Sequence, residues 1–127
     1  MTADDQIALV TRYFTAVDGE DLQGVLATLT PDCRFTVETH GVHLNGLDEV
    51  TAMFRRLWAN HKAVKHDQFR FVPDPVGGRI TAQFRVENTE HDGSLTHKSN
   101  CNVFDIRDGQ FAQISVYMAG ANTLDRE

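Results

Sequence analysis

The sequence predicts an α+β fold in which three N-terminal helices lie on the concave face of one curved, antiparallel or mixed β-sheet. Three observations predict it. Apolar residues recur at helical spacing through the first half of the chain. From Val64 onward the apolar period drops to two. Two Asp-Gly pairs, Asp92-Gly93 and Asp108-Gly109, then divide the second half where hairpins would turn.

Thr2-Ala3-Asp4-Asp5 has the form of a capping box, and Ile7, Val10, Phe14 and Val17 follow down one helical face until Asp18-Gly19 breaks it. Asp21 is placed to cap a second, short helix with Leu22, Val25, Leu26 and Leu29 as its stripe and Pro31-Asp32 as its end. Cys33 to Thr39 alternates as a strand. The run His40 to Gly46 is a tight connection with room for one very short strand at Val42–Leu44. Val50, Met53, Phe54, Leu57 and Trp58 define the third helix, and His61 and Lys62 bring positive charge to its C-terminal end. Four strands are then expected at Val64–Val72, Ile80–Glu90, Leu95–Ile106 and Phe111–Met118, joined as an antiparallel meander. The tail from Ala121 to Glu127 is expected to fray. Such a sheet, covered by helices on its concave side, makes a cone with a packed tip and a mouth that can stay open.

The 127 residues suffice for one domain with one core, and 41% hydrophobic and 24% charged residues are ordinary for a globular protein. A net charge of −6 and the lack of any Lys/Arg run argue against nucleic-acid and membrane partners. No apolar run is long enough for a membrane span or secretory signal, so the cytoplasm is the expected compartment. Cys33 and Cys101 read as free thiols within strands. No metal or cofactor is implied. His40 and His43 stand three apart in a turn, Gly77-Gly78 lies between strands, and no nucleophile elbow is present.

The strand around Asn100 and Asn102 poses the functional question. If Phe104 and Ile106 face the core, a period of two places both asparagines on that face. A buried amide without a partner costs about 1–3 kcal/mol, a heavy load for a domain with about 5–15 kcal/mol of stability. Inward amides are tolerable if they line a hollow.

The segment from Arg12-Tyr13-Phe14-Thr15 through Asp21-Leu22-Gln23-Gly24-Val25-Leu26-Ala27 resembles the opening of the ketosteroid isomerase family. So do Pro31-Asp32-Cys33-Arg34-Phe35-Thr36-Val37-Glu38 and the Asn45-Gly46 lead into the third helix. The chain is thereby identified as a ketosteroid isomerase-like or SnoaL-like member of the nuclear transport factor 2-like superfamily. That superfamily has a cone fold, a cystatin-like roll, which also houses scytalone dehydratase and limonene epoxide hydrolase. In ketosteroid isomerases an aspartate on the first strand moves a proton, while a tyrosine and a protonated acid donate hydrogen bonds to the developing oxyanion. By this resemblance Tyr13 takes the tyrosine position and Asn102 the acid position, where an amide can still donate. The aspartate position is occupied by Val37, which cannot move a proton.

Two residues are candidates for the base. Glu38 faces outward by alternation and needs a one-residue bulge to turn inward. His66, where several cyclase and dehydratase relatives place a histidine, shares the parity of Val64. Phe69 and Phe71 have the opposite parity, so one of the two sets is expected outside, where an apolar outer sheet face would pair two subunits into a homodimer. A hydro-lyase using His66 and His97 would need both rings inside, and parity sets His97 opposite Asn102. The remaining histidines near element ends (His40, His61, His91) are expected in solvent, with His43 nearest the mouth. Phe14, Val37, His43, Phe54, Trp58, Phe84, Asn100, Val116 and Met118 are the expected pocket residues, although Phe54 and Trp58 at helical spacing are more often core than ligand contacts. The expected partner is a small apolar organic molecule with a carbonyl or hydroxyl. The expected activity, if the pocket is catalytic, is proton abstraction and redelivery next to a carbonyl. The alternative is a non-catalytic ligand-binding or dimerisation module.

Overall fold

In the computed structural model, which describes residues 1–124, the chain runs through α1 (Ala3–Asp18), α2 (Leu22–Ala27), β1 (Leu29–Val37) and a single 3-10 turn (Glu38–His40). It continues through β2 (Val42–Asn45), α3 (Gly46–Asn60), β3 (Ala63–Asp74), β4 (Arg79–Thr89), β5 (Leu95–Arg107) and β6 (Gln110–Tyr117). The strands form one sheet in the order β2-β1-β6-β5-β4-β3, antiparallel except where β1 runs parallel to β6.

The local rules explain most of this. Thr2 and Asp5 exchange side-chain-to-backbone hydrogen bonds as a capping box for α1, and Asp21 accepts from the Gly24 N–H to cap α2. Asp108 and Gly109 take φ values of 53° and 77° between β5 and β6, the left-handed pair that a two-residue hairpin requires. Inward side chains of the sheet meet α1 and α3 through aromatic rings: Tyr13 lies 5.7 Å from Phe104, Phe14 4.8 Å from Phe84 and Phe54 6.1 Å from Phe35, centroid to centroid.

The structure corrects the reading from sequence at four places. First, α2 ends at Ala27 and β1 already begins at Leu29, so Pro31-Asp32 lies inside a strand. Pairing with β6 jumps between Leu29 and Arg34. Pro31 therefore sits in an irregular stretch where its missing N–H is not needed.

Second, β3 carries a bulge. Asp67 pairs with Arg85 and Arg70 with Gln83, while Gln68 adopts φ 56°. The extra residue reverses the parity, so His66 and Phe69 both face inward, each stacked near Phe14 at 4.7 and 5.2 Å. Phe71 follows, stacked on Phe69 at 5.7 Å. The outer face of these strands presents Lys65, Arg70, Arg85 and His97 to solvent instead of the two phenylalanines.

Third, His61 is buried at the end of α3, where its Nδ1 donates to the Leu57 carbonyl at 2.8 Å. Fourth, the chain after β6 is tied down. Thr123 is buried, and the segment makes hydrogen bonds to β5 and to the 3-10 turn. The rest of the expected frayed tail, residues 125–127, lies outside the described residues. No helix among the described residues is long and apolar enough to cross a membrane.

Candidate functional site

The two asparagines of β5 look into a hollow between the sheet and α1. Tyr13, Phe14 and Val17 of α1 form its roof, Phe84, Val86 and Asn88 of β4 its floor, and Asn100 and Asn102 of β5 continue that floor toward Val116 of β6. Phe54 and Leu57 of α3, with Val64 and His66 of β3, close the sides, and Met118, Thr123 and Leu124 cover the remaining opening. The free volume inside is about 30 Å³, room for about two water molecules. A ring-sized molecule enters only if the walls move.

Nine of the expected residues are thus brought together around one cavity: Tyr13, Phe14, Phe54, His66, Phe84, Asn100, Asn102, Val116 and Met118. Four are not. Val37 is buried, yet packs outside the hollow. Glu38 is exposed, because the bulge in β1 falls upstream and the chain leaves the sheet directly after Val37. His43 is exposed on β2. Trp58 stands half-buried behind the wall, stacked on Phe54 at 5.7 Å, with its Nε1 donating to the Val17 carbonyl at 2.9 Å. His97 is exposed and pairs with Glu87 at 3.2 Å, so no second imidazole joins His66.

His66 is held from behind. Its Nδ1 lies 2.5 Å from one oxygen of Asp18, whose other oxygen accepts the His66 backbone N–H at 2.7 Å. A carboxylate can only accept here, so the proton sits on Nδ1 and the lone pair of a neutral ring is on Nε2. Asp18 occupies the last position of α1, where a negative charge opposes the helix dipole. Its contacts to β3 offset that local cost.

The polar groups on the walls differ in how far they are engaged. Among the described residues the Tyr13 hydroxyl makes no hydrogen bond, and burial above all, with the charges of Cys33 and Asp18 adding to it, raises its pKa. It therefore remains a neutral donor. The Oδ1 atoms of Asn88 and Asn102 are buried without a donor. Asn100 is committed differently, its Oδ1 accepting the Ala119 N–H at 3.0 Å. The Lys98 ammonium donates to the carbonyls of Ala119 and Ala121, and His40 Nε2 donates to that of Gly120 at 2.9 Å. These bonds hold the covering segment in place.

Residues 10–114 match the SnoaL-like domain family, which spans most of the chain. The chain belongs to that family. No curated protein matches the sequence. Among solved structures, the SnoaL-like chain is similar to a candidate polyketide cyclase of Xanthomonas campestris pv. campestris, with 20% identity, TM-score 0.83 and coverage of 91% of this chain and 90% of that one. An NTF2-like protein of unknown function from Burkholderia pseudomallei aligns at 23% identity and TM-score 0.79 over 97% and 93% of the two chains. An LEH-like epoxide hydrolase of M. tuberculosis aligns at 18% identity and TM-score 0.78 over 91% and 84%. Identities this low establish the NTF2-like fold of this SnoaL-like domain and carry no reaction with them.

Three polar residues at this cavity escaped the sequence reading: Asn88, Asp18 and Thr123, the last in the segment expected to fray. Asn88 was legible, since it continues the inward parity of Ile80, Ala82, Phe84 and Val86. Asp18 had no local signal as a partner, because it meets His66 across 48 residues of chain.

Proposed function

We propose that this SnoaL-like protein binds a small, largely apolar organic molecule and moves a proton next to its carbonyl group, as in an isomerisation, an aldol-type cyclisation or a dehydration. The Asp18–His66 contact carries this reading. His66 Nε2 takes the proton from the carbon beside the carbonyl, and the C–H electron pair moves onto the carbonyl oxygen as an enolate. The imidazolium, stabilised by Asp18, then returns the proton at a second carbon or to a leaving hydroxyl. Tyr13 and the amide N–H of Asn102 donate to the enolate oxygen. Preorganised donors of this kind are worth about 3–4 kcal/mol each in barrier height, and a positioned base contributes about 10²–10⁴-fold in rate.

The test is deuterium exchange, followed by NMR in D2O, into cyclic enones and 1,3-dicarbonyl compounds. The wild type is expected to accelerate exchange of at least one of them. His66→Gln should lose about 100-fold or more, and Tyr13→Phe also about 100-fold. A His66→Gln variant as fast as the wild type rules out the catalytic reading.

A second reading, a non-catalytic binding or dimerisation module, is favoured by Val37 at the position where the resemblance places an aspartate and by the small free volume of about 30 Å³. It predicts no exchange with any of these compounds.

A further inference from the structure

We propose that Asn88 is a specificity-determining residue, and that with Asn102 it grips a ligand carrying a neutral hydroxyl at each end of an apolar body. This rests on the ligand-binding reading above and names its ligand class. Asn88 is 1% exposed and Asn102 3%, both line the hollow, and neither Oδ1 meets a donor. Neither carboxamide has any hydrogen-bond partner among the described residues. Buried amides in a finished core are nearly always paired. Two unpaired ones on the wall of one cavity mark where a guest supplies the missing bonds.

Their placement sets the shape of that guest. Asn102 pairs across the sheet with Ala82, and Asn88 lies six residues further along the same strand as Ala82. At about 3.3 Å per residue that is roughly 20 Å of strand before curvature shortens it. Two inward carboxamides leaning toward each other and their hydrogen bonds take up about half of that, so a guest with about 10 Å between its hydroxyls spans the pair once the walls part to admit it. Phe84 and Val86 fill the inward face of β4 between them, and Asn100, which pairs with Phe84, has its Oδ1 taken up by the Ala119 N–H, so the middle of the guest is apolar.

Chemistry sets its ends. A carboxamide offers an acceptor oxygen and an amino group that donates, and a hydroxyl is the smallest neutral group that can answer both. An ether or ketone cannot donate to Oδ1. Among the residues lining the cavity there is no Lys or Arg to neutralise a carboxylate or phosphate.

Three probes test this by calorimetric titration of the full chain: 4,4′-dihydroxybiphenyl, 4-hydroxybiphenyl and 4,4′-dimethoxybiphenyl. The wild type is expected to bind the bisphenol at least tenfold more tightly than either of the others. Asn88→Leu, of similar volume, should bring the bisphenol to the affinity of the monophenol and leave the monophenol within twofold of its wild-type value. Because the variant removes an unpaired amide, it should melt no lower than the wild type, which also verifies that it folds. A bisphenol preference that survives Asn88→Leu overturns this inference and leaves the ligand-binding reading standing. Equal wild-type affinities for the three probes make the amides water sites only, and overturn it too. No binding of any probe overturns this inference and the ligand-binding reading together.

Discussion

One oxygen of Asp18 reaches the imidazole Nδ1 of His66 at 2.5 Å while the other holds the backbone N–H of the same residue at 2.7 Å. The carboxylate therefore fixes where the strand starts relative to the first helix and which way the ring presents its free nitrogen. Both functions come from one side chain at a helix end.

The tautomer follows from this contact. With histidine labelled with nitrogen-15, the neutral form of the wild-type His66 ring should carry its proton on Nδ1, with Nε2 showing the shift of an unprotonated nitrogen. Asp18→Ala should move the ring toward the Nε2–H form and lower deuterium exchange by about tenfold or more. A neutral wild-type ring protonated at Nε2 contradicts the arrangement.

The bulge at Gln68 makes a second prediction. Its φ of 56° places a side chain in the left-handed region, where a β-branched residue is strained. Gln68→Val should lower stability by about 1–2 kcal/mol, and Gln68→Gly should raise it by about 0.5–1 kcal/mol through relief of the Cβ contact. Urea midpoints at constant slope measure both. Deleting Gln68 restores strict alternation and turns either His66 or the Phe69/Phe71 pair outward, with loss of proton transfer in the first case and of stability in the second.

These particulars show what the sequence makes legible. The third helix, the four long strands and their Asp-Gly turns each leave a local pattern, and so does the inward parity of Asn100 and Asn102, which holds from Phe104 back to Lys98. Strict alternation failed in β3, because one left-handed residue reverses every side chain after it and a glutamine does not announce that. In β4 the same alternation, continued from Ile80, reaches Asn88. Pro31 looked like a helix end because a proline in a regular strand is rare, and the irregular pairing that admits it is a property of β6 as much as of β1. Asp18 and His66 are coupled only through the packing of α1 on the sheet.

Burial predicts how stability responds to alkali. Burial first, then the nearby Asp32 charge, pushes the Cys33 thiol from 9.0 up to about 12, and the Tyr13 hydroxyl also rises from its ordinary value. Above pH 9 the unfolded chain gives up the Cys33 proton while the folded chain keeps it. The unfolded state then binds fewer protons, and stability falls as pH rises. The loss runs from about pH 9 toward 12 for Cys33 at up to about 1.4 kcal/mol per pH unit, with Tyr13 joining above pH 10. Cys33→Ala should flatten the fall between pH 9 and 10. Chemical denaturation at pH 8, 9 and 10 measures it, and a stability that is level over this range contradicts the buried, protonated thiol.

The proposed chemistry requires the hollow beneath α1 to hold a ligand. Native mass spectrometry of the wild type and of Asn102→Leu, each purified under non-denaturing conditions, tests this directly. A defined small-molecule adduct is expected on the wild type, and its loss from the variant. The mass of the bare chain from both, or the same adduct at equal occupancy on both, would contradict it.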